Sequence, residues 1–158
     1  MWWLMLNLAL AGKLSEGYKG VPFGPEIVLI NPPSENCISA PSPGITWGCR
    51  QKIGEASALV TYVAEEGIFY GVYMSVASLS DAQVLMNVLK AAYGPGTKMN
   101  SYQLEILPDW MWQDNNVIAV FKFNQFTVTG TLAIYNKEWL AEVDARKAAK
   151  AALSIDDL

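Results

Sequence analysis

The sequence predicts an α+β domain, with a single antiparallel meander sheet of about six strands, two helices packed on one face, and an irregular N-terminal wrap. Three observations predict it. Apolar residues alternate with period two in several runs after position 45, capped helical patterns follow two groups of those runs, and glycine and proline interrupt the stretch from 12 to 44 throughout.

The chain is 158 residues long, enough for one domain with a substantial core. Hydrophobic residues make up 52% and charged residues 16%, against roughly 25% charged in an average globular protein. Such a chain folds rather than staying solvated and disordered. Lys and Arg total 11 against 15 Asp and Glu, and only Arg50 and Arg146 are arginines. Nucleic acid is therefore not an expected partner, because binding it requires clustered cations against phosphates. The chain has no histidine. That absence removes Ser-His-Asp and Cys-His nucleophiles, imidazole bases and nearly every zinc site other than four cysteines. No catalytic residue, metal site or cofactor is expected.

Taken in order, Trp2 to Leu10 form a short apolar run ending in Ala9-Leu10-Ala11, the small-x-small pattern of a signal-peptidase site. Residues 1–11 read as a signal-peptide remnant, cleaved before Gly12, and the mature chain as periplasmic or secreted. The alternative is an uncleaved element packed on the domain. The run falls short of the about 20 apolar residues that cross a bilayer, so no transmembrane anchor is expected.

Residues 12–44 read as a wrap over the same domain, with Ile27-Val28-Leu29-Ile30 as an edge strand. Export would favour a disulfide between Cys37 and Cys49, and closing that short loop is worth about 3 kcal/mol by chain entropy. The alternatives are buried free thiols or a reactive cysteine. Two cysteines without histidine make a poor metal site, and the spacing is not that of a redox pair.

The α+β body spans 45–153. Ile45, Trp47, Cys49 and Ile53 alternate with Thr46, Gly48, Arg50 and Lys52 as its first strand, and Gly54-Glu55 turns the chain. Ala56 to Ala64 is the second, with Val60 and Tyr62 opposed to Leu59, Thr61 and Val63. After the loop Glu65-Glu66-Gly67, read as a solvated tip, Ile68, Tyr70, Val72, Met74 and Val76 alternate with Phe69, Gly71, Tyr73 and Ser75. Ser80 and Gln83 have the spacing of a capping box, and Val84, Leu85, Val88, Leu89 and Ala92 form the apolar stripe of the helix they open. Gly94 stops it by taking a left-handed conformation, and Pro95 cannot continue it. Gly94 to Lys98 is therefore a helix stop and not a phosphate loop, which would precede a helix.

Tyr102, Leu104 and Ile106 alternate as a strand, ended by Pro108-Asp109. Trp110 and Trp112 share one face of an extended segment, and either fill the core or sheet rim or offer indole faces to a ligand or partner. Asp109 beside them could pair with Asp114 in a glycosidase-like arrangement. Asp109, Trp110 and Trp112 are thus the candidate binding residues. Asp114-Asn115-Asn116 turns into Val117 to Phe123, and Asn124-Gln125 reverses into a strand from Phe126 to Tyr135. Asn136 caps the last helix, with Trp139, Leu140 and Val143 as its stripe and Glu142–Arg146 as an i,i+4 pair. Residues 154–158 read as a frayed tail. The order suggests a βββα-βββα pseudo-duplication, with Gly71 and Gly130 in matching strands.

Gly20-Val21-Pro22-Phe23-Gly24, Tyr62, Gly71-Val72, a helix running from Leu89 to Tyr93-Gly94, a Trp, and Gly130 to Tyr135 before the last helix together give a recognisable layout. It resembles small exported bacterial proteins of uncharacterised function, which implies export and an α+β sheet and carries over no active site. The functional expectation is a non-enzymatic periplasmic or secreted protein-interaction module, with an unknown protein or envelope component as partner. The alternative is a small-molecule or glycan-binding domain, in one form hydrolytic, using Trp110, Trp112 and Asp109.

Overall fold

A computed structural model describes residues 14, 17–40, 44–99 and 106–155. The signal-peptide reading of 1–11 lies outside them. The fold is α+β, an antiparallel sheet of nine strands and two helices. Six strands form its body: β3 (Ile45–Ile53), β4 (Ala56–Glu65), β5 (Ile68–Val76), β7 (Trp110–Asp114), β8 (Val117–Asn124) and β9 (Thr129–Asn136). The other three are short additions, β1 (Gly24–Pro25), β2 (Cys37–Ser39) and β6 (Thr97–Lys98), which account for the excess over the expected six. The helices are α1 (Leu79–Tyr93) and α2 (Lys137–Ile155), the latter running two residues into the stretch read as tail.

The strand order β2-β3-β4-β5-β9-β8-β7-β6 corrects the expected single meander. Two meanders, β3-β4-β5 and β7-β8-β9, are joined back to back by the antiparallel pairing of β5 with β9. Because α1 carries the chain away from β5, the second meander begins at the far edge and works inward. Each meander ends in a helix, as the βββα order anticipated. The sheet is open, with β2 and β6 at its ends.

One face of the sheet is covered by α1 and the wrap. No residue of α2 joins the buried cluster there; α2 instead meets the β4–β5 end of the sheet, so the expected packing of both helices on one face is corrected. Val60, Tyr62, Val72, Met74, Leu132, Ile134, Ala119 and Phe121 belong to one buried cluster with Ala82, Leu85 and Leu89 of α1. The buried stripe of α1 is thus Ala82, Leu85 and Leu89, while Val84 and Val88 sit beside the β3–β4 turn at Gly54. The wrap adds Leu14, Tyr18 and Leu29 to the same cluster. Burying one such large aliphatic or aromatic side chain contributes about 1.5–3 kcal/mol.

Two bulges alter the alternation. Ala64 pairs with Phe69 but Val63 with Gly71, so Tyr70 is an extra residue. Phe69 therefore shifts onto the covered face with Val72, Met74 and Val76, and touches Tyr62 and Phe23. Likewise Ile45 pairs with Val63 and Trp47 with Tyr62, so Ile45 and Trp47 do not share a face.

The wrap is held by identifiable bonds. Cys37 and Cys49 stand directly opposite in the β2–β3 register and are joined by a disulfide. Gln51 is a second clasp: its Oε1 accepts from Tyr18 OH at 3.3 Å and Lys19 Nζ at 3.2 Å, and its Nε2 donates to Ser34 Oγ at 3.0 Å and Tyr62 OH at 3.3 Å. Ile27 to Ile30 are not an edge strand; Glu26–Leu29 is a 3-10 turn. Only Leu29 among these apolar residues has a place to go, and its carbonyl accepts Trp47 Nε1 at 2.8 Å. A single tight turn buries that one side chain and leaves Ile27, Val28 and Ile30 outside.

Three local expectations are corrected. The N-cap of α1 is Ser78, whose extended backbone lets its Oγ accept from Asp81 N–H at 3.0 Å, while Ser80 lies inside the first turn. The strand expected over Tyr102 to Ile106 falls outside the described residues except for Ile106, which is in a bend, and the first strand of the second meander is Trp110–Asp114. Phe126 does not begin a strand. Asn124 Oδ1 accepts the backbone N–H groups of Phe126 at 2.9 Å and Thr127 at 3.2 Å, which bends 125–128 into a turn before β9.

Other features follow the sequence. Gly94 caps α1 with φ 89° and ψ −171°, a positive-φ conformation open to glycine though not the left-handed helical one expected, and donates its N–H to Lys90 O at 3.0 Å. Asn136 Oδ1 accepts from Glu138 N–H at 3.0 Å and Trp139 N–H at 3.1 Å. Arg146 Nε donates to Glu142 Oε1 at 2.9 Å. The β4–β5 turn, however, is not simply solvated: Glu65 pairs with Lys147 and Glu66 with Lys150, and Arg146 Nη1 donates to Glu66 O at 2.9 Å. These contacts pin α2 to the turn. Gly71 and Gly130 prove to be different devices, since an added Cβ would meet Ile134 O at 3.0 Å from Gly71, but Val76 Cγ2 at 2.8 Å and Ala82 Cβ at 2.9 Å from Gly130. The first permits close strands; the second lets α1 settle on the sheet.

Candidate functional site

The reverse face of the sheet is the less covered one. Its side chains are those one step out of phase with the core, and the registers align them in rows across the strands. One row runs Ile38, Gly48, Thr61, Tyr73, Ala133, Val120, Met111. It carries no charge. Ile38 is 74% and Tyr73 44% exposed, and a Cβ at Gly48 would meet nothing within 4 Å. The next row is Arg50, Leu59, Ser75, Thr131, Lys122, with Leu59 47% exposed and a cation at each end. At about 4.8 Å between strands, those cations stand roughly 19 Å apart.

At the Lys122 end this face deepens into a cleft of about 500 Å³. Lys122, Asn124, Thr129 and Thr131 of the β8–β9 hairpin form its floor, and Asp109, Ile106 and Phe126 also line it. The turn that carries Phe126 leaves it 82% exposed. Two residues on, Val128 has φ 53°, the left-handed region that a β-branched residue rarely adopts. Asn124 Oδ1 is taken up by the turn, which leaves its amide N–H groups as donors, and Thr129 Oγ1 donates to Thr127 O at 3.2 Å, which leaves its lone pairs as acceptors.

Trp110 and Trp112 do share one face, as expected, but it is the covered one, since they pair with Phe121 and Ala119. Trp112 is buried and donates Nε1–H to Gly94 O at 2.8 Å, so it ties the end of α1 to β7. Its indole is spent on packing. Trp110 is partly exposed, with the Lys90 ammonium 3.7 Å from its ring centroid, a cation–π contact. Its Nε1 is buried and has no hydrogen-bond partner among the described residues. Of the three candidate residues, Asp109 alone lines the cleft. Asp109 and Asp114 lie at opposite ends of β7, about 17 Å apart along an extended strand. Carboxylates that work together on a glycosidic bond stand about 5–9.5 Å apart, so these two do not form such a pair.

Sequence reasoning missed Phe126, Lys122, Asn124, Thr129 and Thr131 as a group. The available signal was Asn124, whose short side chain nucleates turns, placed before an exposed aromatic. Burial pushes the Tyr18, Tyr62 and Tyr93 hydroxyls up, and Tyr70 is raised by burial and then by Asp144. Burial lowers Lys19. These groups serve the wrap, the core and the α2 contact. Among the described residues no group of three or more Cys, Asp and Glu gathers as a metal site, and no helix is long and apolar enough to cross a membrane.

Comparison of the chain with protein-family models, with curated proteins and with solved structures returned no match.

Proposed function

We propose that this chain is an exported, non-enzymatic interaction module that presents the less covered sheet face to a protein or envelope component in the periplasm or outside the cell. The row Ile38, Gly48, Thr61, Tyr73, Ala133, Val120, Met111 carries the reading. It is an uncharged stripe across seven strands, with an aromatic at its centre and cations along one side. Interfaces favour this composition, in which a central aromatic anchor is desolvated and charge stays at the rim. The Cys37–Cys49 disulfide supports an oxidising compartment, where such bridges persist.

Two measurements test it. A tagged chain recovered from its own cells should be found outside the cytoplasm, with an N-terminus beginning at Gly12. A partner retained by the native chain should be lost with Tyr73→Thr, which removes the ring and keeps a strand-forming side chain. If the chain is recovered from the cytoplasm, or if the partner survives that change, the reading fails.

A further inference from the structure

The cleft at the β8–β9 hairpin has a chemistry distinct from the uncharged row, and we propose that it is a binding site for a neutral, hydroxyl-rich ligand, a short oligosaccharide. Its volume, about 500 Å³, falls within the about 300–1,000 Å³ typical of small-molecule sites. Lys122 and Asp109 both line it, so its lining carries one residue of each sign and is not a cluster of like charge. Between them the floor offers donors and acceptors in the mixture that sugar hydroxyls require, from the Asn124 amide N–H groups and the Thr129 and Thr131 hydroxyls. Hydroxyls both give and accept, and so match such a surface without a net charge.

The wall supplies the other half of sugar recognition. Phe126 is 82% exposed, and it is absent from the buried core cluster of the described residues. A pyranose has an apolar face of C–H groups, and an exposed aromatic ring is the surface that such a face covers. Val128, in the same turn, holds a left-handed backbone at φ 53°. Strain of this kind is disfavoured for a β-branched residue and gathers at ligand sites, where the surrounding structure holds a side chain in a set position. Here the Asn124 bonds to Phe126 and Thr127 set the turn that positions the ring. The ligand class named for Trp110 and Trp112 from sequence is thus moved to the reverse face, with Phe126 in place of the indoles and Asp109 kept.

The test is an NMR titration of the ¹⁵N-labelled full chain with maltotriose, cellotriose and tri-N-acetylchitotriose in turn, at saturating millimolar concentration, with heparin tetrasaccharide as the anionic probe. At least one neutral sugar should shift amides of Asp109, Lys122 and the segment 124–131. Phe126→Ala and Thr131→Val, both at accessible positions and checked for unchanged melting, should each weaken that binding tenfold or more. Tyr73→Thr should leave it unchanged, so failure of the protein-partner reading and failure of this one are told apart. No shift with any neutral sugar, shifts confined to other residues, binding of the anionic probe alone, or full binding by Phe126→Ala would each overturn the proposal.

Discussion

On the covered face Val60, Tyr62, Phe121 and Leu132 have almost no exposure, yet one residue away on β4 and β5 Leu59 and Tyr73 keep 47% and 44% of theirs. The same strands supply both faces, so strand composition alone does not explain the contrast. The connections do: α1 leaves β5 and lies on one side, and the disulfide and the Gln51 clasp draw the wrap to the same side. Residues under them contribute to stability. Residues opposite them keep more of their exposure, and the proposed recognition rests on that face.

Alkali should act most strongly, and through the covered face. Tyr18, Tyr62 and Tyr93 all have raised hydroxyl pKa values, chiefly through burial. In the unfolded chain tyrosines ionise near about pH 10, while the folded chain keeps these protonated, so the folded state binds more protons there. Their contribution is complete below about pH 10 and is lost as pH rises through the raised values, so denaturant midpoints should fall steeply in that range. Lys19, lowered by burial, acts in the opposite sense just below its usual range. A midpoint unchanged across that range would show that the tyrosines are not enclosed.

Next in size, Phe121→Ala removes a fully buried ring from the centre of the second meander. A loss of about 3–5 kcal/mol is expected in urea unfolding. Replacing both Cys37 and Cys49 by Ser should cost about 3 kcal/mol by the loop-closure account, and limited proteolysis should then cut first in the wrap. Equal cutting with and without the bridge would show that Gln51 and Trp47 suffice. The smallest effect belongs to the open face, where Tyr73→Thr should change stability by less than about 0.5 kcal/mol while abolishing partner binding. A large destabilisation there would erase the contrast between the two faces.

Much of this organisation was legible in the sequence. Period-two alternation located five of the six main strands and set the remaining one at Tyr102 to Ile106 instead of Trp110–Asp114, Asn136 and Gly94 marked helix ends, and the cysteine pair was placed as the bridge of the wrap. The errors cluster where local signals compete. Ser78 and Ser80 are both plausible caps, and only the backbone conformation chooses between them. Phe126 and Val128 look like strand residues until Asn124 captures the two amides that would have extended the ladder. Ile27 to Ile30 read as a strand because apolar β-branched residues prefer one, but among the described residues no strand pairs with them and a single turn suffices to bury Leu29. For the candidate site, Asp109 was the one residue identified in advance that lines the cleft.

The sequence by itself determined the fold class, the order of most main elements and much of the buried strand face, because burial periodicity and capping act over a few residues and are written there. Tertiary structure alone decided that β5 pairs with β9, that Glu65 and Glu66 meet α2, and that Trp112 is consumed by Gly94 while Phe126 is not. Each of these is a contact between segments distant in the chain. Such contacts depend on which side of the sheet α1 and the wrap come to lie, and no local pattern encodes that choice.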